Sequence, residues 1–211
     1  MANAAIPIHL IHAATHNGMV IPYITLRHAD GTPELGRVDL NLVAECLTGR
    51  RCQLCAQPLD TGTTAAAVVM ARPMDFGYGY VPEPAQHPEC AAYANRACPM
   101  LSGRLPRLRD RTRPQRRQCT AAAACWCGLD EPPSVDAIVR SGRPATPWYS
   151  VRFPMTEYEL VMTARKGSRG ISLHALTSRK VRLVSWGDPE WDDMGRAVVY
   201  GLPLPEAGSD A

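Results

Sequence analysis

Arg51-Cys52-Gln53-Leu54-Cys55 and, further along, His87-Pro88-Glu89-Cys90 decide how this chain folds. A Cys-x-x-Cys turn delivers two thiolates from one tight loop whose backbone amides point at the sulfurs. A His-x-x-Cys pair in the first turn of a helix delivers two more ligands, because positions i and i+3 share a face. Zinc takes four such ligands in a tetrahedron, at about 2.0–2.3 Å. The metal ligands expected are therefore Cys52, Cys55, His87 and Cys90, holding one Zn²⁺. Two other readings compete with this one. The three cysteines could be free thiols packed as small hydrophobes, or Cys52 and Cys55 a redox pair, which would lack the βαβ setting of thioredoxin-like motifs.

Between the two ligand pairs, TTAAAVVMAR (63–72) reads as a strand and PMDFGYGYVPEPAQ (73–86) as a loop rich in Pro, Gly and Tyr. After them an Ala-rich helix runs from His87 to about Cys98 and stops at Pro99, with Pro88 in a first turn that has no use for its missing N–H. Knuckle, strand, returning loop and ligand-bearing helix form the plan of a treble-clef zinc finger.

Upstream, IPIHLIHA (6–13) and MVIPYITLRH (19–28) read as β-rich runs joined by the hairpin turn signal Asn17-Gly18. Asp30-Gly31-Thr32-Pro33 closes that unit, and Asp39 caps a short helix, LNLVAECLTG, with Gly49 as its stop. Downstream, WYSVRF, YELVMTA, GISLHAL and KVRLVSW (within 148–186) read as four short strands. The fold class expected is α+β, a treble-clef-like zinc core with an N-terminal β-hairpin and a small C-terminal antiparallel β-sheet. Residues 1–103 form the hairpin and zinc module, 104–147 an Arg/Pro-rich connector, 148–204 the β module and 205–211 a disordered tail.

Composition bounds the function. The 211 residues carry 23 basic and 20 acidic side chains, and the net charge of +3 selects no partner. Of the basic residues 21 are Arg, a skew that a GC-rich genome also produces. No stretch approaches the roughly 18 apolar residues of a membrane span, and the start lacks a basic n-region, so no secretory signal is read. Eight Cys without a signal fit a reducing, cytoplasmic setting in which cysteine clusters bind metal.

Residues 104–117, RLPRLRDRTRPQRR, hold Arg104, Arg107, Arg109, Arg111, Arg113, Arg116 and Arg117 against one Asp, a local charge of +6. This arm could neutralise phosphates in a salt-dependent, sequence-blind way, or serve as a solvated linker. Tyr78, Tyr80 and Phe76 could stack on bases or pin their loop. Cys119, Cys125 and Cys127 could join Cys98 in a second metal site, with Cys46 or His174 as substitute fourth ligands, or act as a thiol sensor beside the arginines. His9, His12 and His16 could gather metal, yet alternation on a strand puts His9 and His12 on opposite faces, so they read instead as polar positions at a hairpin edge. Asp188, Glu190, Asp192 and Asp193 form an acidic patch able to hold Mg²⁺ or, more simply, a solvated loop.

Across Ile6 to Cys127, through VIPYITLRHADGTPELGRVD, ECLTGRRCQLCAQPLD, HPECAAYANRACPML and the later Cys…Cys-x-Cys, the chain resembles a family of small Cys-rich proteins from actinobacteria and their phages or integrated elements. The resemblance implies a metal framework and a mobile-element setting, and carries no activity. The function expected is a non-catalytic, zinc-stabilised protein that engages nucleic acid or a host protein. A metal-dependent hydrolase is the alternative. A treble-clef nuclease would need a His on the strand after the knuckle, yet TTAAAVVMAR has none and the helix offers only Asn95 beyond its zinc ligand.

Overall fold

A computed structural model describes residues 4–60, 65–108, 142–164 and 167–187. The chain opens with a 3₁₀ turn, Ile8–Leu10, and a minimal hairpin of β1 (Thr15–His16) and β2 (Met19–Val20). Asn17 and Gly18 form its turn with φ of 51° and 76°, the double left-handed geometry that Asn-Gly favours. The strand expected over 6–13 is absent. Apolar residues there crowd at Ile6, Ile8, Leu10 and Ile11, a short tight spiral that buries Leu10 alone and leaves Ile8 and Ile11 exposed.

Strands β3 (Thr25–Arg27) and β4 (Pro33–Val38) pair antiparallel, so the Asp30-Gly31 turn is a hairpin tip rather than the end of the unit. Helix α1 follows at Leu40–Thr48, with Asp39 Oδ1 accepting from the amides of Asn41 and Leu42. At its end the left-handed residue is Arg50 (φ 48°), not Gly49. Gly49 is needed for closeness instead: a Cβ there would lie 2.9 Å from the Glu45 carbonyl oxygen.

Strand β5 (Ala66–Ala71) is apolar on both faces because both are covered. Ala67, Val69 and Ala71 face the main core, and Val68 and Met70 pack with Ala91 and Ala94 of a later helix. After β5 comes α2 (Pro73–Tyr78), where the sequence reading expects loop. Asp75, almost fully buried, holds this turn together by accepting from the Arg72 amide at 2.7 Å and from its guanidinium at 2.9 and 3.1 Å. Gly79 ends it at φ 75°, tight against the His174 ring. Strand β6 (Tyr80–Val81) and helix α3 (Pro88–Ala97) complete this part.

The four late strands form where the pattern places them: β7 (Trp148–Pro154), β8 (Leu160–Met162), β9 (Arg169–Ser172) and β10 (Lys180–Ser185). They do not make one sheet. β7 is the centre of an antiparallel sheet ordered β10-β7-β5, and β9 the centre of another ordered β6-β9-β8. Each therefore takes one strand from before residue 148. An apolar strand such as β5 has to find backbone partners, and β7 supplies six in register from Ala66↔Pro154 to Ala71↔Tyr149. Two tyrosine hydroxyls cross-link the layers. Tyr93 of α3 accepts from the Val20 amide at 3.0 Å, and Tyr158 donates to the Leu47 carbonyl at 2.8 Å.

Candidate metal centre

The Cys52–Cys55 turn is shaped by its own backbone. The Cys52 amide donates to the Gln57 carbonyl and the Ala56 amide to the Cys52 carbonyl, at 2.9 and 2.8 Å. Ala56 sits at φ 63°, and Arg51 bridges Pro58 to close the loop. This folds the chain back sharply enough for both sulfurs to point the same way. Opposite it, His87 is the N-cap of α3, with Pro88 in its first turn and Cys90 three residues after His87. The register between the halves is set by backbone bonds, Gln53 amide to Ala85 carbonyl at 3.0 Å and a mutual pair between Val68 and Gln86 at 2.8–2.9 Å.

The result is a group of four ligand atoms all within 4.8 Å of one another, from Cys52, Cys55, His87 and Cys90. Cys55 Sγ lies 3.5 Å and Cys90 Sγ 3.9 Å from His87 Nδ1. A tetrahedral ion with bonds of about 2.0–2.3 Å needs ligand–ligand edges of roughly 3.3–3.8 Å, so the four side chains can hold a metal ion with little movement. Cys52 and Cys90 are fully buried, while Cys55 and His87 are partly exposed.

The ring orientation is fixed from outside. His87 Nε2 is 2.9 Å from the Pro58 carbonyl oxygen. A carbonyl only accepts, so Nε2 carries hydrogen and Nδ1 is the nitrogen that could coordinate a metal. Without an ion the group shares protons among itself. Hydrogen bonding to Cys52 and Cys55 pushes His87 up to about 11. S–H donation from Cys55 and Cys90 holds the Cys52 thiol far below its usual range, and Cys90, donating to Cys52, is driven far above it. One thiolate is thus poised in a buried, donor-rich pocket, the condition that favours a cation.

Two partners of the site are not placed there by the sequence reading. The Pro58 carbonyl is one, since a backbone atom has no motif. His9 is the other: its Nε2 stands 3.4 Å from Cys90 Sγ, where an N–H can donate to a liganded thiolate. The expectation that His9 and His12 lie on opposite strand faces fails because the segment is a 3₁₀ turn. Among the described residues His12 and His16 join no ligand group.

The remaining candidates fall differently. Cys46 is fully buried beside the centre, its thiol pushed up to about 12 by desolvation and then by Glu45 and Cys52, and it is not one of the four grouped ligands. Cys98 packs with Val68, Met70 and Leu101, and His174 lies against Gly79. Cys119, Cys125 and Cys127 lie outside the described residues, as do Asp188, Glu190, Asp192 and Asp193. Of the seven arm arginines, Arg109, Arg111, Arg113, Arg116 and Arg117 also lie outside. Arg104 instead caps α3, donating to the carbonyls of Arg96 and Ala97 at 3.0 and 2.8 Å, and Arg107 reaches the Gly142 carbonyl. Tyr78 and Tyr80 stack on each other at 5.9 Å between centroids, and the Tyr80 hydroxyl accepts from the Ala164 amide.

Among the described residues no helix is long and apolar enough to cross a membrane. No protein-family model matches this chain, and no curated protein or solved structure matches it either.

Proposed function

We propose that this chain is a non-catalytic binding module whose scaffold is set by one structural zinc ion in a treble-clef-like Cys₃His site. The observation that carries the reading is the closed ligand set. Four protein ligands converge within 4.8 Å, and a catalytic zinc keeps one position for water or substrate. The donor set is soft, three sulfurs and an imidazole, which favours zinc over the hard cations that hydrolytic sites take from carboxylates. The order of elements supports the treble-clef description: the Cys52–Cys55 turn, then β5, then a return through Gln86, which bridges Val68, then His87 and Cys90 at the head of α3. β5 presents Ala-Ala-Val-Val-Met-Ala, so the strand offers no second ligand set for a nuclease metal.

Elemental analysis of the full chain should give one zinc per molecule, and a strong chelator should unfold it, since binding energy in such sites is folding energy. A metal-free protein that keeps its circular dichroism and melting temperature would sink the structural reading. Metal-dependent cleavage of a phosphodiester, abolished by Cys52→Ser, would sink the non-catalytic one.

A further inference from the structure

The sheet ordered β10-β7-β5 has two faces of opposite character. One is core. On the other, α3 and Leu101 pack against β5 and the Trp148–Val184 end of β7 and β10, and among the described residues the opposite end, at Arg152 and Lys180, is exposed. The register places Lys180 directly opposite Arg152, and Arg182 opposite Ser150. Alternation then brings Arg152, Lys180 and Arg182 onto this same open face, all three exposed. None of them makes a hydrogen bond or ion pair with another described residue, in contrast to Arg37, Arg72 and Arg104, which do. Two depressions flank the Arg152–Lys180 pair. One of about 330 Å³ runs between the pair and the α3 wall at Ala92 and Asn95, and one of about 230 Å³ lies towards Ser178. The Asn95 carboxamide oxygen on that wall has no partner among the described residues.

Edge strands often carry cations merely to discourage pairing with other sheets, and β10 is an edge. That role does not account for Arg152 on the central strand. Nor does it account for like charges set directly across a strand pair, which disfavours the sheet that carries them. A carboxylate opposite Lys180 would block the edge equally well and stabilise the pair. A face that concentrates positive charge against its own stability is complementary to a ligand with repeated negative charge. The cations lie in a row along and across flat strands, with Lys180 and Arg182 about 7 Å apart along β10. They do not converge on one point, as a small anion would require.

We infer that this face, with the groove beside α3, binds the sugar–phosphate backbone of a nucleic acid without reading its sequence. The inference rests on the reading of the chain as a binding module and names the surface and the partner class. It assigns the contact to the folded sheet rather than to the arm at 104–117.

The test uses zinc-loaded full-length protein and fluorescently labelled random-sequence duplex and single-stranded DNA, titrated between 50 and 200 mM salt (about the range over which phosphate contacts are lost). The triple variant Arg152→Gln/Lys180→Gln/Arg182→Gln should bind at least about tenfold more weakly. Its log affinity against log salt should also be shallower by about 2.7, near 0.9 per phosphate contact on duplex. A charge-matched control, Arg27→Gln/Arg143→Gln/Arg169→Gln, removes exposed arginines from elsewhere and should bind like the parent. Melting temperature and zinc content of the triple variant should hold or rise, because cross-strand repulsion is relieved. The surface assignment is overturned if parent protein fails to bind at low salt, if both variants lose affinity equally, or if the triple variant melts lower. Displacement of the DNA by poly-glutamate at matched charge would overturn the nucleic-acid assignment in favour of an acidic polypeptide. None of these results touches zinc stoichiometry or chelator unfolding, so failure of this inference is separable from failure of the binding-module reading.

Discussion

Cys90 is the residue on which most of the chemistry converges. It is fully buried, and its sulfur stands 3.9 Å from His87 Nδ1 and 3.4 Å from His9 Nε2. A donor to a ligating sulfur stabilises the thiolate and orients it, and loss of such outer partners typically weakens metal binding 10- to 100-fold. His9→Ala should therefore weaken zinc binding by about that factor and lower the melting temperature of the zinc-loaded protein at fixed free zinc, since binding energy in such a site is folding energy. Competition with a chromogenic chelator reads the first and calorimetry the second, and unchanged zinc affinity would show that His9 is only a neighbour. The pH dependence follows from His87. Its pKa is raised, to about 11, by bonding to Cys52 and then Cys55, so the metal-free site carries that proton throughout the neutral range. Zinc has to displace it, together with thiol protons. Affinity thus rises with pH and falls as pH drops, by about tenfold per unit for each proton displaced. Zinc release to a chelator should increase steadily from pH 7 to pH 5, and a flat profile would mean that the ligands are not these.

At the scale of elements, local chemistry and long-range pairing part company. The Tyr158 hydroxyl donates to the Leu47 carbonyl at 2.8 Å, beneath the Arg50 guanidinium 5.3 Å from its ring centroid. It ties the late chain to α1 by a polar contact. Tyr158→Phe should cost about 1–2 kcal/mol, because a buried carbonyl is left without its donor. Asp39→Ala, which removes the α1 cap, should cost about 1 kcal/mol, and denaturant melts compare the two directly. The Asp39 cap can be read in the sequence, and so can α3, the Asn17-Gly18 turn and the positions of β7 to β10. Each is specified by residues within a few positions of itself. The two ligand pairs are legible for the same reason. The short helix α2 is not, because its capping partner is Arg72, a residue with no cap propensity that works here through a buried bond to Asp75. His9 is missed because a 3₁₀ turn and a two-residue strand leave no period to read. Sheet membership is missed because nothing near β5 says that its partner is Val151 and its neighbours, some eighty residues on.

That pairing governs the whole molecule. The candidate metal ligands lie between Cys52 and Cys90, yet β5, threaded between them in sequence, is locked to β7, and β7 to β10. Strands β7 and β10 should consequently share the fate of the metal centre. Hydrogen exchange after chelation should show β7 and β10 losing protection together with β5 and α3, and not as a surviving C-terminal unit. Persistent protection in β7 after the metal is gone would place an independent folding unit there.

The same topology sets an order of events on the ribosome. All four ligands have been synthesised by Cys90, so an ion can be captured while the chain is still growing. Trp148 to Pro154 do not yet exist at that moment, and the apolar strand Ala66–Ala71 waits with its edge open. During that interval its Ala-Ala-Val-Val-Met-Ala backbone is a template for another nascent copy. Slow elongation between residues 90 and 154 would lengthen the interval, and aggregation of this protein should track translation speed through that stretch rather than the supply of zinc alone.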